Sequence, residues 1–350
     1  MEKKIAIILV NYKDYGERFL TDCYGSLLNQ TYTNWQLYIV DNASTEETYE
    51  YLKGVCPKAK VLRRVNGNYS AGNNLGIREA IKDGLKYFVV ANMDTEFDKY
   101  WLEELVKVSR QDKVGLVQSK LLLFSKDGKK RINSLGNKLQ FLGFGFTSGY
   151  LKDDYDIQEP WEIKGYVSGC SLMISKRVYE KIGGYNEDYY MYHDDIELSL
   201  KVKLAGYKLM LAPRSVVYHK YEFSRSVRMI YYMERNRYIT MFSFFKTGTL
   251  LLILPPLLIM DIGMMFYSIL GGWFKSWFKV KIYFLNPSSW LKIIQFREEI
   301  RNLRKISDRE LCKGIVARIE FSEISNPILR YIVNPILAIY WFVIRKIIIW

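Results

Sequence analysis

Over its first ~125 residues the chain alternates, with no long gap, between short apolar runs rich in β-branched residues and stretches of helical spacing. The apolar runs are KKIAIILVNY (3–12), WQLYIVDN (35–42), KAKVLRRV (58–65), KYFVVANMD (86–94) and VGLVQSKLLLF (114–124). Between them Leu20, Cys23, Leu27 and Leu28 recur at helical spacing, Ser44 and Glu47 read as a capping box, and KYWLEELVKVSR (99–110) reads as a helix. This alternation predicts parallel βαβ units with helices on both faces, an α/β fold with a Rossmann-like, mostly parallel sheet.

The pattern weakens from Lys126 to Glu162, where Gly and aromatic residues dominate, as in a variable loop or an irregular hairpin. It returns as strand, helix and turn in YVSGCSLMISKRVYEKIGGY (166–185), as a helix ended by Gly206, and as a strand in KLMLAPRSVVYH (208–219). A catalytic-type domain is therefore expected over 1–225. The remainder, 226–350, reads as a helical region with apolar segments at 249–272 and 331–350. The first segment is long enough for a bilayer but is broken by Pro255-Pro256 and interrupted by Asp261. Lys and Arg lie on both sides of it, which favours in-plane or re-entrant helices on the cytoplasmic face of a membrane over a single crossing. A buried helix pair or a homo-oligomer interface is the other use for such segments.

The net charge of +14, from 51 basic and 37 acidic residues, calls for an anionic partner or serves solubility. The basic excess gathers near the apolar C-terminal segments, which argues against nucleic acid. Four dispersed cysteines form neither a zinc pattern nor a CxxC pair and imply a reduced, intracellular setting. The N-terminal run lacks a cleavage site and reads as a first strand.

In an open parallel sheet, ligands sit beyond the C-terminal strand ends. Those ends carry Asn11, Asp41-Asn42, Asn66–Asn74, Asn92–Asp94 and His219. Asp41 is suited to a base N–H or a ribose hydroxyl; helix capping, its other use, falls better to Ser44. In NGNYSAGNNLGI (66–77), Gly67, Gly72 and Gly76 permit close backbone approach, and the helix that follows offers its N-terminus to phosphate, although such segments are often plain turns. Asp94 suits Mg²⁺ or Mn²⁺ held mostly by phosphate and water, or a helix cap. Asp194 and Asp195 open a helix, where capping is common, but with His193 and flanking tyrosines they exceed what a cap needs; one of them reaching a cleft is a general base. His219 is a metal ligand or a structural histidine.

Taken in order, these segments resemble the family 2 glycosyltransferases of GT-A fold, in particular a rhamnosyltransferase-like branch. The resemblance covers roughly residues 4–240. It rests on VNY, LLNQTYTNWQLYIVDNAST, NGNYSAGNNLGI, ANMD, VSGCSLMISKRVYEKIGGYNEDYYMYHDDIEL, YHKYEFSRS and MERNRY. It implies that Asn11, Asp41, Asn42, Asn66, Gly72, Asn74 and Asn92 hold the nucleotide. Asp94 becomes the remaining acid of a D-x-D motif, binding Mg²⁺ or Mn²⁺, with Asn92 in the first acid's place. Asp195 becomes the second acid of an E-D motif and the base, with Asp194 in place of Glu and Glu197 in place of the following Asp. His219 becomes the late histidine near the pyrophosphate. The implied partners are a nucleotide-sugar donor and a polyprenyl-linked or cell-surface glycan acceptor, with dTDP-rhamnose the donor this branch points to. A Q-x-x-R-W motif is absent, which favours single-sugar transfer. A nucleotidyltransferase would want a glycine run after the first strand, which VNYKDYGERF lacks; a non-catalytic binding protein would not need Asp94, Asp195 and His219 together.

Overall fold

The computed structural model describes residues 4–125, 128–221, 229–321 and 326–350. The expected boundary at 225/226 and part of YHKYEFSRS lie outside the described residues, as do Lys126 and Asp127 at the start of the weakly patterned region. The chain divides into two compact units, one of residues 1–137, 147–203 and 207–221, the other of residues 138–146, 204–206 and 222–350.

In the first unit β1 (Ile5–Tyr12), β2 (Trp35–Asn42), β3 (Lys60–Arg64) and β4 (Tyr87–Ala91) pair in parallel in the order β4-β1-β2-β3. The connecting helices are α1 (Tyr15–Leu28), α2 (Glu46–Val55) and α3 (Tyr69–Lys82). Residues 5–11 of β1 are all buried, as an apolar central strand should be. Then come β5 (Thr95–Phe97), α4 (Trp101–Ser109) and β6 (Val114–Leu123). They are followed by β7 (Arg131–Ser134) and β10 (Trp161–Glu162), while β8 (Asn137–Gln140) and β9 (Gly145–Thr147), between them in the chain, fall mainly in the second unit. The unit closes with β11 (Ser171–Ser175), α5 (Lys176–Ile182), α6 (Asp194–Leu204) and β12 (Lys208–His219). The sheet runs β10-β12-β6-β11-β4-β1-β2-β3 and is mixed: β11 is antiparallel to both β4 and β6, whereas β12 is parallel to β6. Leu20, Cys23 and Leu27 of α1 pack into the core with Leu52, Phe97 and Trp101, and the last two rings stack at 4.0 Å.

Three local expectations are corrected. The cap of α2 is Thr45, whose side chain accepts from the Thr48 N–H, and not Ser44. Ser44 instead donates to the Asp41 carboxylate at 2.6 Å, a stronger, charge-assisted use of the hydroxyl. The Gly/Asn-rich segment is mostly helix, because Asn68 caps α3 and Gly72 and Gly76 lie inside it, with Gly67 just before the cap. A Cβ on Gly72 would meet Asn42 Nδ2 at 2.8 Å and one on Gly76 would meet Ile8 at 2.7 Å, so these glycines let α3 lie close on β1 and β2. The region after 127 is more regular than a loop: β7 pairs with β6, and the turn between β8 and β9 uses Gly143 at φ +87°.

In the second unit β13 (Ile315–Val316) pairs with β8. Its helices are α7 (Ile230–Phe244), α8 (Thr247–Leu270), α9 (Phe274–Leu285), α10 (Pro287–Leu303), α11 (Asp308–Cys312) and α12 (Asn334–Ile347). Pro255-Pro256 does not break α8, which is continuous through both residues. Pro256 removes the donor for the Leu252 carbonyl, and the Tyr340 hydroxyl supplies it at 2.6 Å. Asp261 accepts from Tyr238 at 2.6 Å and from Trp277 at 3.3 Å, and pairs with Lys281. Inside α7, Arg237 is buried, paired with Glu234 at 2.7 Å, and donates to the Leu142 carbonyl.

Candidate functional site

The parallel register of β1 and β2 sets Asn11 beside Asp41 and Tyr12 beside Asn42. Asn11 donates to Asp41 Oδ1 at 2.8 Å and accepts from the Gly16 N–H at 2.7 Å, tying the end of β1 to the start of α1. Asp41 is wholly buried, with Ser44 on its second oxygen and the Arg63 guanidinium at 3.9 Å. Two oxygens offer about four acceptor positions, so Asp41 retains capacity for a ligand. Asn42 donates to the Asn68 carbonyl, while its own Oδ1 is buried without a hydrogen bond among the described residues. A buried acceptor left this way at a strand end is placed for a ligand donor.

Other expected nucleotide contacts are spent inside the protein. Asn74 accepts from the Tyr179 hydroxyl and the Tyr185 N–H and donates to the Tyr185 carbonyl and Glu187, filling all four positions of its amide. The α3 N-terminus is likewise taken: the Tyr69 and Ser70 N–H groups donate to the Tyr190 carbonyl and the Ala71 N–H to Asn68. It is therefore closed to phosphate. Asn66 is exposed and accepts from Arg64. Gly72 serves helix packing.

β5 explains the acid beyond β4. It pairs antiparallel with β12, setting Thr95 opposite His219. Asp94 Oδ1 then lies 3.4 Å from His219 Nε2, and the Tyr15 hydroxyl donates to Oδ2. His219 Nδ1 meets Asn133 of β7 at 2.9 Å, which fixes the ring. Burial alone disfavours the imidazolium, but the Cys170 sulfur and the Asp94 carboxylate outweigh it and push the histidine up to about 10. Asp94 and His219 thus face one another at this end of the sheet. Asn92 joins this end of the sheet, accepting from the Tyr69 hydroxyl at 3.0 Å and donating its N–H to the Cys170 carbonyl. Among the described residues no group of three His, Cys, Asp or Glu is placed to hold a metal. The Asp94–His219 oxygen and nitrogen pair suits Mn²⁺ better than the oxygen-seeking Mg²⁺, and either ion would need further ligands from a bound molecule or water.

Asp194 and Asp195 part in character at the start of α6. Asp194 is buried and Asp195 half-buried. Asp195 accepts from the Ile196 N–H at 2.8 Å and the Gly169 N–H at 3.4 Å. Burial raises both carboxyls; the neighbouring Asp195 charge raises Asp194 further, and Asp195 is pushed up to about 6. Tyr190, Tyr192 and His193, just before them, all have φ near +60°. Three non-glycine residues in the left-handed region mark a strained approach to the acid pair. Glu197 is held with Lys201 at 2.6 Å inside the fold, and Lys201 also donates to the Gly184 carbonyl.

Sequence reasoning missed Tyr15, Tyr69, Asn133 and Gly169, which hold Asp94, Asn92, His219 and Asp195 respectively. Nothing in their local spacing separates them from ordinary helix, strand and loop residues. Lys201, four residues after Glu197, carried the signal of an i,i+4 pair.

Residues 6–183 match the family model described as Glycosyl transferase family 2. The chain is 28% identical over 231 residues to the O-antigen biosynthesis protein RfbC of Myxococcus xanthus, covering 62% of this chain and 17% of that protein. It is 24% identical over 251 residues to an N-acetylglucosaminyl-diphospho-decaprenol L-rhamnosyltransferase of Mycobacterium tuberculosis, covering 63% and 76%. The first two curated relatives are spanned by this chain over only 23% and 17% of their length. Among solved structures, the mannosyltransferase PcManGT of Pyrobaculum calidifontis, in complex with GDP-Man and Mn²⁺, superposes with a TM-score of 0.50 at 13% identity, over 85% of this chain and 86% of that one. At that identity the likeness is one of fold, the GT-A fold.

Proposed function

With half its length matching that model, the chain belongs to the family 2 glycosyltransferases, and we propose that it is an inverting, metal-dependent, non-processive enzyme. In this reading it moves a sugar, rhamnose being the first to test, from a nucleotide-diphosphate sugar to a hydroxyl of a lipid-linked or cell-surface glycan. The observation that carries it is the acid pair: Asp195 alone is half-open, and it rests on Gly169, next to the Cys170 whose carbonyl holds Asn92.

Asp41 and Asn42 take the base and ribose, with Asn11 as the brace between strand and acid. Asp94 and His219 would hold the divalent ion, which when bound neutralises the departing diphosphate. Mn²⁺ in PcManGT supports that assignment. Asp195 accepts the proton of the acceptor hydroxyl; the oxygen bonds to the anomeric carbon as the carbon–oxygen bond to the diphosphate breaks, and that electron pair leaves with the diphosphate. One base on the attacking side is enough, unlike the two carboxylates of a hydrolase. Asn74 and Gly72 act by positioning α3, not by touching nucleotide.

Membrane association is supported by α8, and in this reading the enzyme works on the cytoplasmic face. This helix has mean hydropathy 2.1 over a window only 22% buried, and it leaves Leu251, Leu258, Ile259, Ile262 and Phe266 exposed. α12 adds exposed Ile336, Ile339 and Phe342, with Arg345 and Lys346 in its last turn.

The test is release of nucleoside diphosphate from a panel of UDP-, GDP- and dTDP-sugars by the full chain with a polyprenyl-phosphate glycolipid, with and without chelator. Wild type should release with one donor and stop on chelation. Asp195→Asn should lose transfer by about 10³-fold or more while still binding the nucleotide. Transfer surviving in Asp195→Asn removes the base assignment, and activity under chelation removes the metal.

A further inference from the structure

The cation reading leaves open which ions Asp94 and His219 would admit. The way Asp94 is held bears on this. Its backbone carbonyl accepts from the Lys220 N–H at 2.8 Å, which ties it to the residue after β12. Thr95, next along the chain, donates its hydroxyl to the Asn92 carbonyl at 2.6 Å and closes the turn that carries the acid. On the side chain, the Tyr15 hydroxyl donates to Oδ2. Oδ1 is the oxygen turned to His219 Nε2, 3.4 Å away.

Tyr15 is itself anchored. It is the first residue of α1, and the next N–H, from Gly16, donates to Asn11 Oδ1 at 2.7 Å. A Cβ on Gly16 would meet Leu52 at 2.5 Å, so the start of α1 lies hard against α2. The Tyr15 ring packs on Phe19 at 4.8 Å. On the histidine side, Asn133 Oδ1 lies 2.9 Å from His219 Nδ1. An amide oxygen only accepts, so Nδ1 carries the hydrogen and Nε2 is the ring nitrogen left to a cation. Ligands in neighbouring positions around one Mg²⁺-sized ion stand about 3 Å apart, close to the 3.4 Å between Oδ1 and Nε2.

We propose that Tyr15 is a cation-selecting residue: by occupying Oδ2 it makes Asp94 a one-oxygen ligand, and so disfavours Ca²⁺ against Mn²⁺ and Mg²⁺. A carboxylate with both oxygens open can clasp a cation with the pair. Ca²⁺, with about six to eight ligands and long bonds, uses that mode freely, whereas the smaller octahedral ions are served by single oxygens. An oxygen that already receives a hydroxyl proton has its charge drawn to that proton. Tyr15 acts through Asp94 and is a positioning residue. This inference rests on the reading that Asp94 and His219 hold a divalent ion; it adds which ions the site takes and which side chain decides it.

The probe is Mn²⁺ itself, followed by electron paramagnetic resonance on the full chain in detergent with each of UDP, GDP and dTDP in turn. The same nucleotide without protein is the blank. Ca²⁺ and Mg²⁺ are then titrated in, and the concentration of each that displaces half of the protein-held Mn²⁺ is read. Tyr15→Phe keeps the ring on Phe19 and removes only the hydroxyl. It should lower the Ca²⁺ concentration needed by about tenfold or more, while the Mg²⁺ concentration stays within about twofold. An equal Ca²⁺ requirement in wild type and Tyr15→Phe overturns the inference. So does a variant in which Mn²⁺, Mg²⁺ and Ca²⁺ all weaken together with their ratios kept, because the hydroxyl then only stiffens the turn. If wild type holds no Mn²⁺ beyond the nucleotide blank, or Asp94→Asn holds it as well as wild type, the cation reading itself falls and the role of Tyr15 with it, an outcome distinct from the other two.

Discussion

The Glu197–Lys201 pair lends itself to a quantitative perturbation. Its side chains are 0% and 5% exposed and 2.6 Å apart, so solvent screening is slight. Lys201→Met keeps the length of the stem but strands a carboxylate inside the fold and removes the donor to the Gly184 carbonyl. Breaking a buried pair this way costs about 3–5 kcal/mol. In a domain of this size class each kcal/mol moves the midpoint by roughly 2–4 °C, so Tm should fall by roughly 6–20 °C. The loss should be local first. Gly184, Tyr185 and Asn186 lean on this pair, Tyr185 engages Asn74, and the Tyr190 carbonyl caps α3. Hydrogen exchange over residues 184–195 should accelerate more than over β1. The double variant Glu197→Gln/Lys201→Met removes both charges and should recover most of the loss. Differential scanning calorimetry of the full chain in detergent, with exchange mass spectrometry, reads both effects. A single variant that loses less than about 1 kcal/mol, or a double variant no better than the single, would refute the claim that the ion pair organises this loop.

Three other outcomes are expected. Asp194 is a carboxyl with a raised folded-state value, so the folded chain holds its proton more tightly than the unfolded chain. Its contribution is therefore fully present below the ordinary 3.8 and is lost as pH rises through about 8. Asp194→Asn should accordingly stabilise the protein at pH 9, by more than about 1 kcal/mol in urea unfolding, with the advantage vanishing toward pH 4; an advantage that grew on acidification would reverse the sign. Gly76→Ala drives a methyl against Ile8 and Val40, both stiff β-branched residues, and should destabilise by about 1–3 kcal/mol, whereas Gly25→Ala, with nothing within 4 Å in α1, should stabilise by up to about 1 kcal/mol. Leu258→Glu with Ile262→Glu should abolish co-sedimentation with anionic phospholipid vesicles if that face of α8 meets lipid; unchanged sedimentation counts against it.

The strands and most of their ends were legible because burial on both faces leaves continuous apolar runs, and the polar residues that end them stand out. The base and metal candidates stood out for the same reason: Asp94, Asp195 and His219 are costly where they are. What escaped was set by distant partners. Ser44 and Thr45 are equally good caps by type, and only the buried Asp41 decides between them. Asn74 reads as a nucleotide contact until Tyr179 and Tyr185, more than a hundred positions on, fill its amide. The antiparallel insertion of β11 is invisible to periodicity, because a buried strand looks the same in either direction. The strained run at Tyr190–His193 has no composition signal, since none of its left-handed residues is glycine.

Asp261 acts as a rotational key for α8. An apolar helix can be turned about its axis at little cost, since one greasy face is much like another. A carboxylate engaged by Tyr238, Trp277 and Lys281 cannot be turned without giving up all three. One acid therefore sets the azimuth at which Leu258, Ile259 and Ile262 are displayed. Which side of this helix is available to lipid is dictated by its least lipid-like residue.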